Sequence, residues 1–147
     1  MDRVDGMERF KYVEDGPTAD LMFEAYGSTL DEAFGNSALA MFNAMTPLEG
    51  VEEREVRTVE AQGDDLEGLL YNFLDELLFV HDVEHLIFSA VDVDLDEEIL
   101  QIRAECSGER FDPTRHESGI AVKAVTFYQM KVEGPENGYT IRVVLDI

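Results

Sequence analysis

The stretch Thr114 to Val132, TRHESGIAVKAVTFYQMKV, read together with Tyr139 to Ile147, YTIRVVLDI, decides how the chain folds. In the first, Ile120, Val122, Ala124, Thr126, Tyr128, Met130 and Val132 share one side of an extended backbone, and Lys123, Gln129 and Lys131 share the other. In the second, Tyr139, Ile141, Val143, Leu145 and Ile147 alternate with Thr140, Arg142, Val144 and Asp146. Glu133 to Gly138, EGPENG, supplies turn residues between them. The pattern predicts an antiparallel hairpin whose second strand ends with Asp146 and the Ile147 α-carboxylate side by side. Lys123, one of three lysines, falls in the partner strand.

Outward from this pair, Met7 to Val13 reads as a first strand, broken by Asp15, Gly16 and Pro17. Asp20 to Tyr26 alternates as a second strand, with Thr18 and Ala19 at the turn before it. Ser28 with Asp31 resembles a capping box, and Leu30, Ala33, Phe34, Ala38, Met41, Phe42 and Met45 recur at helical spacing until Pro47. Val51 to Gln62 is a less regular strand. Asp64 or Asp65 caps a second helix with a continuous apolar stripe of Leu66, Leu69, Leu70, Phe73, Leu74, Leu77 and Leu78. Leu86 to Leu95 and Ile99 to Ser107 form a hairpin about the turn Asp94 to Glu98. No internal repeat or low-complexity linker stands out, so one domain over residues 1–147 is expected. Two amphipathic helices and about seven strands, mostly in hairpins, predict an α+β fold of two layers, with both helices on one side of a largely antiparallel or mixed sheet.

Composition narrows function further. With 33 acidic and 11 basic residues among 147, the formal charge is -22. That field repels nucleic-acid phosphates and anionic membranes, so tight direct nucleic-acid binding is not expected. Three uses of the acidity remain: solvation in high salt, attraction of a basic partner, and capture of divalent cations. The single Cys106 excludes an intramolecular disulfide and faces inward as a small hydrophobe. The N-terminus has no apolar signal core and no window is long and apolar enough to cross a membrane, so a cytoplasmic protein is expected.

Candidate chemistry is sparse. Asp20 at a turn-to-strand junction offers a carboxylate that a hard cation would accept if other oxygens converged, as would Asp146 with the chain end. A turn or cap role is the plainer reading of Asp20. Lys123 could meet an anion or a partner, or pair with a neighbouring acid at the surface. His116 could act as a ligand or proton shuttle, but His81, His85 and His116 have no mutual spacing that implies catalysis. There is no phosphate-binding glycine loop and no nucleophile motif, and no catalytic residue is assigned.

Taken in order, Thr18-Ala19-Asp20, the strand ending Tyr26-Gly27, Thr29 to Phe34, Ala38 to Phe42, Gln62 to Leu66, Phe73 to Glu76, His116, Val122 to Thr126 with Tyr128, and terminal Asp146-Ile147 resemble the archease family over nearly the whole chain. The resemblance implies an accessory protein, not an enzyme. Archeases activate an RtcB-type RNA-splicing ligase in tRNA exon joining, promoting guanylylation of the ligase's active-site histidine and multiple turnover. It implies that Asp20, Asp146 and the Ile147 carboxylate bind a divalent metal, with calcium the first candidate and magnesium or manganese the alternatives, and that Lys123 is needed for activation. One position departs: the family usually has His immediately before the Thr-Ala-Asp triplet, where this chain has Pro17. The alternative function is a general chaperone or specificity modulator of RNA-processing enzymes that works through the acidic surface. A hydrolase using the same carboxylates ranks third, for want of a base and an oxyanion donor set.

Overall fold

The structure is a computed structural model that describes residues 8–13 and 20–147. Seven strands and two helices follow in the order β1 (Phe10–Val13), β2 (Asp20–Gly27), α1 (Leu30–Met45), β3 (Glu55–Gln62), α2 (Leu66–Glu84), β4 (Leu86–Asp96), β5 (Gln101–Arg110), β6 (Ala124–Glu133) and β7 (Tyr139–Asp146). This is the expected α+β class. The strands form two antiparallel sheets, ordered β1-β2-β7-β6 and β3-β5-β4, where the pattern alone suggested one. Alternation shows which face of a strand is buried and says nothing about which strands share a sheet.

Both helices bridge the sheets. α1 packs on β2 of one sheet and β4 of the other, and α2 packs on β3 and β6. Phe34 of α1 lies 6.5 Å from Phe73 of α2, and Phe42 meets Phe88 of β4 edge to face at 5.4 Å, ring centroid to centroid. The predicted stripes are the core: Phe34, Phe42, Leu69, Leu70, Phe73, Leu74 and Leu77 have no accessible surface.

The two sheets are copies of one plan. A strand runs into a helix, and a later hairpin returns so that its second strand pairs with the first: β2, α1, β6-β7 in one unit, and β3, α2, β4-β5 in the other. The second unit is inserted between the helix and the hairpin of the first. Local contacts repeat at one sequence interval. Gly27 and Gly63 end the strands, and a Cβ on either would collide with the backbone of Ala33 or Leu69 in the helix that follows. Thr29 accepts from the Glu32 N–H at 3.1 Å, and Asp65 accepts from the Gly68 N–H at 2.7 Å, each as the N-cap. Asn36 donates to the Tyr26 carbonyl at 2.7 Å, and Asn72 donates to the Gln62 carbonyl at 2.8 Å. Even the outer-face ion pairs correspond: Arg142 with Glu24 at 3.1 Å and Arg103 with Glu60 at 3.4 Å.

Several boundaries differ from the sequence pattern. Thr29, not Ser28, caps α1, and Glu32 reaches back to accept the Ser28 N–H at 2.7 Å. β3 starts at Glu55, while Val51 is buried ahead of it. β6 starts at Ala124, not near Thr114, and its alternation is broken: Phe127 to Met130 face the single residue Val143 across the ladder, with Gln129 at φ 53°. Before this bulge the buried residue is Val125, out of step with Ala124 and Thr126; after it Met130 and Val132 pack on the core. The first-strand residue Met7 and the turn residues Pro17, Thr18 and Ala19 lie outside the described residues.

The loop from β5 to β6 is fixed by a buried carboxylate. Glu109 accepts from the Glu52 N–H at 2.8 Å, from His116 Nε2 at 3.0 Å and from Arg115. His116 Nδ1 accepts from the Asp112 N–H at 2.8 Å, which leaves the proton on Nε2 and makes the ring a neutral donor to Glu109. Burial alone would raise the Glu109 carboxyl, but the Glu52 N–H, His116 and Arg115 together overcome it and hold the group down at about 2.

Two stability outcomes follow from this packing. Leu74→Ala is expected to cost about 2–5 kcal/mol in urea denaturation, because it opens a cavity under α2. Because the folded state holds the Glu109 carboxyl below its unfolded value, its stabilisation is complete above the ordinary carboxylate range and is lost as pH falls toward about 2. Glu109→Gln should therefore be less stable than the parent by roughly 3 kcal/mol at neutral pH, with the gap closing as pH drops through that window.

Candidate functional site

Antiparallel pairing of β2 with β7 puts Asp20 directly opposite Asp146, and pairing of β6 with β7 puts Ala124 opposite Asp146 on its other side. The Lys123 N–H donates to the Asp146 carbonyl at 2.7 Å, so the lysine enters at the same sheet end. Ile147 follows Asp146 with its side chain packed against the core, which anchors the chain end to the sheet. Thus Asp20, Lys123, Asp146 and Ile147, scattered through the sequence, meet at one place.

The strands also fix which way these residues face. Leu21, Phe23 and Ala25 of β2 and Ile141, Val143 and Leu145 of β7 turn toward the helices. By alternation Asp20 and Asp146 share the opposite face. Both are partly exposed, and neither carboxylate has a hydrogen bond or ion pair among the described residues. The Lys123 side chain is exposed and also forms no ion pair there.

Like charges directly opposite across strands are destabilising, so two unneutralised aspartates in register are a cost that nothing in the core requires. The second unit makes this plain. At the corresponding positions β3 and β5 pair Val56 with Ser107, a neutral couple on the same scaffold. The fold is therefore satisfied without the carboxylates. The donors at the β2–β7 end are hard oxygens, the type that calcium and magnesium take. No three His, Cys, Asp or Glu side chains among the described residues are placed to share a cation, so a cation here would need main-chain or terminal oxygens beside Asp20 and Asp146.

The histidines lie elsewhere. His116 is buried against Glu109. His81 donates from Nδ1 to the Leu86 carbonyl at 2.9 Å near the end of α2, and His85 caps that helix in the left-handed region at φ 61°. Cys106 is buried as expected, and its burial pushes the thiol up to about 12. Sequence reading missed Glu109, because it ended β5 at Ser107; by alternation Glu109 continues the outward series Gln101, Arg103, Glu105 and Ser107, so nothing in the pattern signals its burial. It also missed Phe127 and Tyr128 as surface features, because nothing in the alternation announces a bulge.

The family profile described as Archease protein family (MTH1598/TM1083) matches residues 10–147. The chain is 43% identical over 141 residues to the protein archease of Sulfurisphaera tokodaii, covering 96% of this chain and 100% of the relative. It is 42% identical over 144 residues to that of Pyrococcus abyssi, with the same coverage. Among solved structures, it resembles the solution structure of Methanobacterium thermoautotrophicum protein 1598 with TM-score 0.82 and 41% identity, over 95% of this chain and 99% of the other. An archease from Thermotoga maritima described as a possible chaperone shares the fold at TM-score 0.63 and 16% identity, over 93% of this chain and 100% of the other. With a family profile spanning all but the first residues and relatives matched over their full length, this chain belongs to the archease family.

Proposed function

We propose that this protein is an accessory activator of an RtcB-type RNA ligase, promoting guanylylation of the ligase histidine, and that Asp20, Asp146 and the Ile147 carboxylate hold a divalent cation, calcium first, for that purpose. The observation that carries the reading is the in-register pair Asp20 and Asp146, unneutralised among the described residues, on a scaffold whose second copy does without it. When bound, the cation would supply positive charge where phosphate oxygens can approach. Lys123, held beside Asp146 through its main chain, adds a second positive charge that an anionic nucleotide or ligase carboxylate can meet. The packed Ile147 side chain keeps the terminus from fraying.

A chaperone role is the second reading, favoured by the strong acidity and by the description of the Thermotoga maritima relative as a possible chaperone. The two separate on breadth: an activator stimulates one ligase, and a chaperone rescues unrelated proteins as well.

Calcium is expected to raise the melting temperature of the parent protein and to leave Asp20→Asn and Asp146→Asn unmoved, since only the folded parent gains binding energy. In metal-free buffer both variants should melt at or slightly above the parent, because a repulsive cross-strand pair is gone. Ligase guanylylation stimulated by either variant should fall by more than the about 10-fold that disturbing a ligand's outer partners typically costs. Variants that stimulate the ligase as the parent does would defeat the cation reading.

Residues added after Ile147 convert its carboxylate to a neutral amide. Such an extended protein should fold, bind calcium weakly by calorimetry and stimulate the ligase poorly, whereas an extension before Met1 is tolerated. Unchanged calcium affinity would remove the terminal carboxylate from the ligand set.

A further inference from the structure

The two units differ most at one place outside the carboxylate site. In β4, the counterpart of β6, Asp92, Val93 and Asp94 pair without interruption with Glu105, Ala104 and Arg103. In β6, between Thr126 opposite Val144 and Lys131 opposite Arg142, four residues stand where β4 has one. The insertion is not explained by burial: Phe127 and Tyr128, its two aromatic residues, are 57% and 56% exposed. It also holds Gln129, a residue with a Cβ, in the left-handed region at φ 53°, a conformation that non-glycine residues seldom adopt.

What the insertion does is present a ring. Phe127 leaves the strand toward α2 and stacks on Tyr71 at 4.2 Å with planes 7° apart. Tyr71 covers one side of Phe127, and more than half of the ring's residue remains open to solvent. Beside it lies a cavity of about 690 Å³ whose lining includes Asp64, Asp65, Tyr71, Asn72 and Phe127. Asp65 is occupied in part by its capping bond to Gly68, while Asp64 is exposed and forms no ion pair among the described residues.

We propose that this aromatic shelf, Phe127 on Tyr71 with Asp64 and Asp65 at its rim, is a docking surface for an arginine side chain of a partner protein. A guanidinium is flat, weakly hydrated and always charged, so it can lie on an aromatic face while its N–H groups reach a carboxylate. A lysine ammonium keeps its hydration and gains less from the ring. A nucleobase would stack equally well on Phe127, but its phosphates would then face Asp64 and Asp65 on a chain of charge -22. The long-range field draws a basic partner in, and the shelf chooses where its arginine lands. The surface is independent of the cation reading, since Phe127 faces α2 and the Asp20–Asp146 pair faces away from the helices.

The test titrates the isotope-labelled full chain, at physiological salt, with a short peptide of alternating glycine and arginine, its glycine–lysine counterpart and a short oligoadenylate, following amide shifts and affinity. The arginine peptide should bind about 5-fold tighter than the lysine peptide, the size of a partly exposed cation–π contact, and shift Phe127 and Tyr71. In Phe127→Ala, which leaves every charge in place, the two peptides should bind within about 2-fold of each other. Phe127→Leu, which keeps apolar bulk and removes the ring, should behave likewise and guards against a folding defect in the alanine variant. Equal binding of the two peptides by the parent, or an arginine preference that survives both substitutions, would overturn the proposal. Oligoadenylate binding centred on Phe127 would overturn it too, and would make the shelf a single-strand RNA site.

Discussion

The rest of the structure depends on how closely each helix starts against the strand before it. Gly27 and Gly63 have no side chain because the next helical turn occupies the space where a Cβ would stand. That approach lets Thr29 and Asp65 cap their helices at once and lets Asn36 and Asn72 bond back to the strand carbonyls. With both helices locked to their own strands by the same contacts, each reaches the opposite sheet, and the apolar stripes of α1 and α2 are buried between two sheets instead of against one. A substitution at either glycine would act on both sheets through the helix it displaces.

The duplicated plan offers an internal comparison that a single-copy fold lacks. Features shared by the two units, such as the strand-end glycines, caps, asparagine tethers and outer ion pairs, are explained by packing and hydrogen bonding. Features present in one unit are not demanded by the fold. Two stand out: a pair of carboxylates where the other unit has Val56 and Ser107, and an aromatic insertion where the other unit has Val93. Function is more economically sought in these departures than in any cavity chosen for its size.

Much of this was legible beforehand. The helical stripes ending at Met45 and Leu78 and the alternation of Ile141, Val143 and Leu145 depend on short-range periodicity, and the structure buries those residues. The partition into two sheets was not legible, because β2 with β7 and β3 with β5 are pairings between distant segments. Nor was the duplication, since it survives in a glycine, a cap and an asparagine per unit and in little else that a sequence comparison would weigh. The bulge in β6 escaped because Phe, Tyr, Gln and Met fit an uninterrupted strand as readily as a broken one. Asp20, Asp146 and Lys123 stood out by a place at a turn, a place at the chain end and the scarcity of lysine, the resemblance implied their roles, and their convergence came from register.

The nesting of one unit within the other orders events in time. The inserted unit is built from a continuous segment, so β3, α2, β4 and β5 can assemble as soon as that segment has left the ribosome. β2 must wait through all of it for β7, its partner, which follows the inserted unit in the chain. Asp20 and Asp146 therefore come together only after the inserted unit has been made and β7 has closed the outer sheet on β2. A chain that stops before β7 would present Asp20 alone, and one misfolded in its middle would leave the two carboxylates apart. The paired carboxylates thus serve as a mark that the outer sheet has closed, legible to whatever binds at that sheet end.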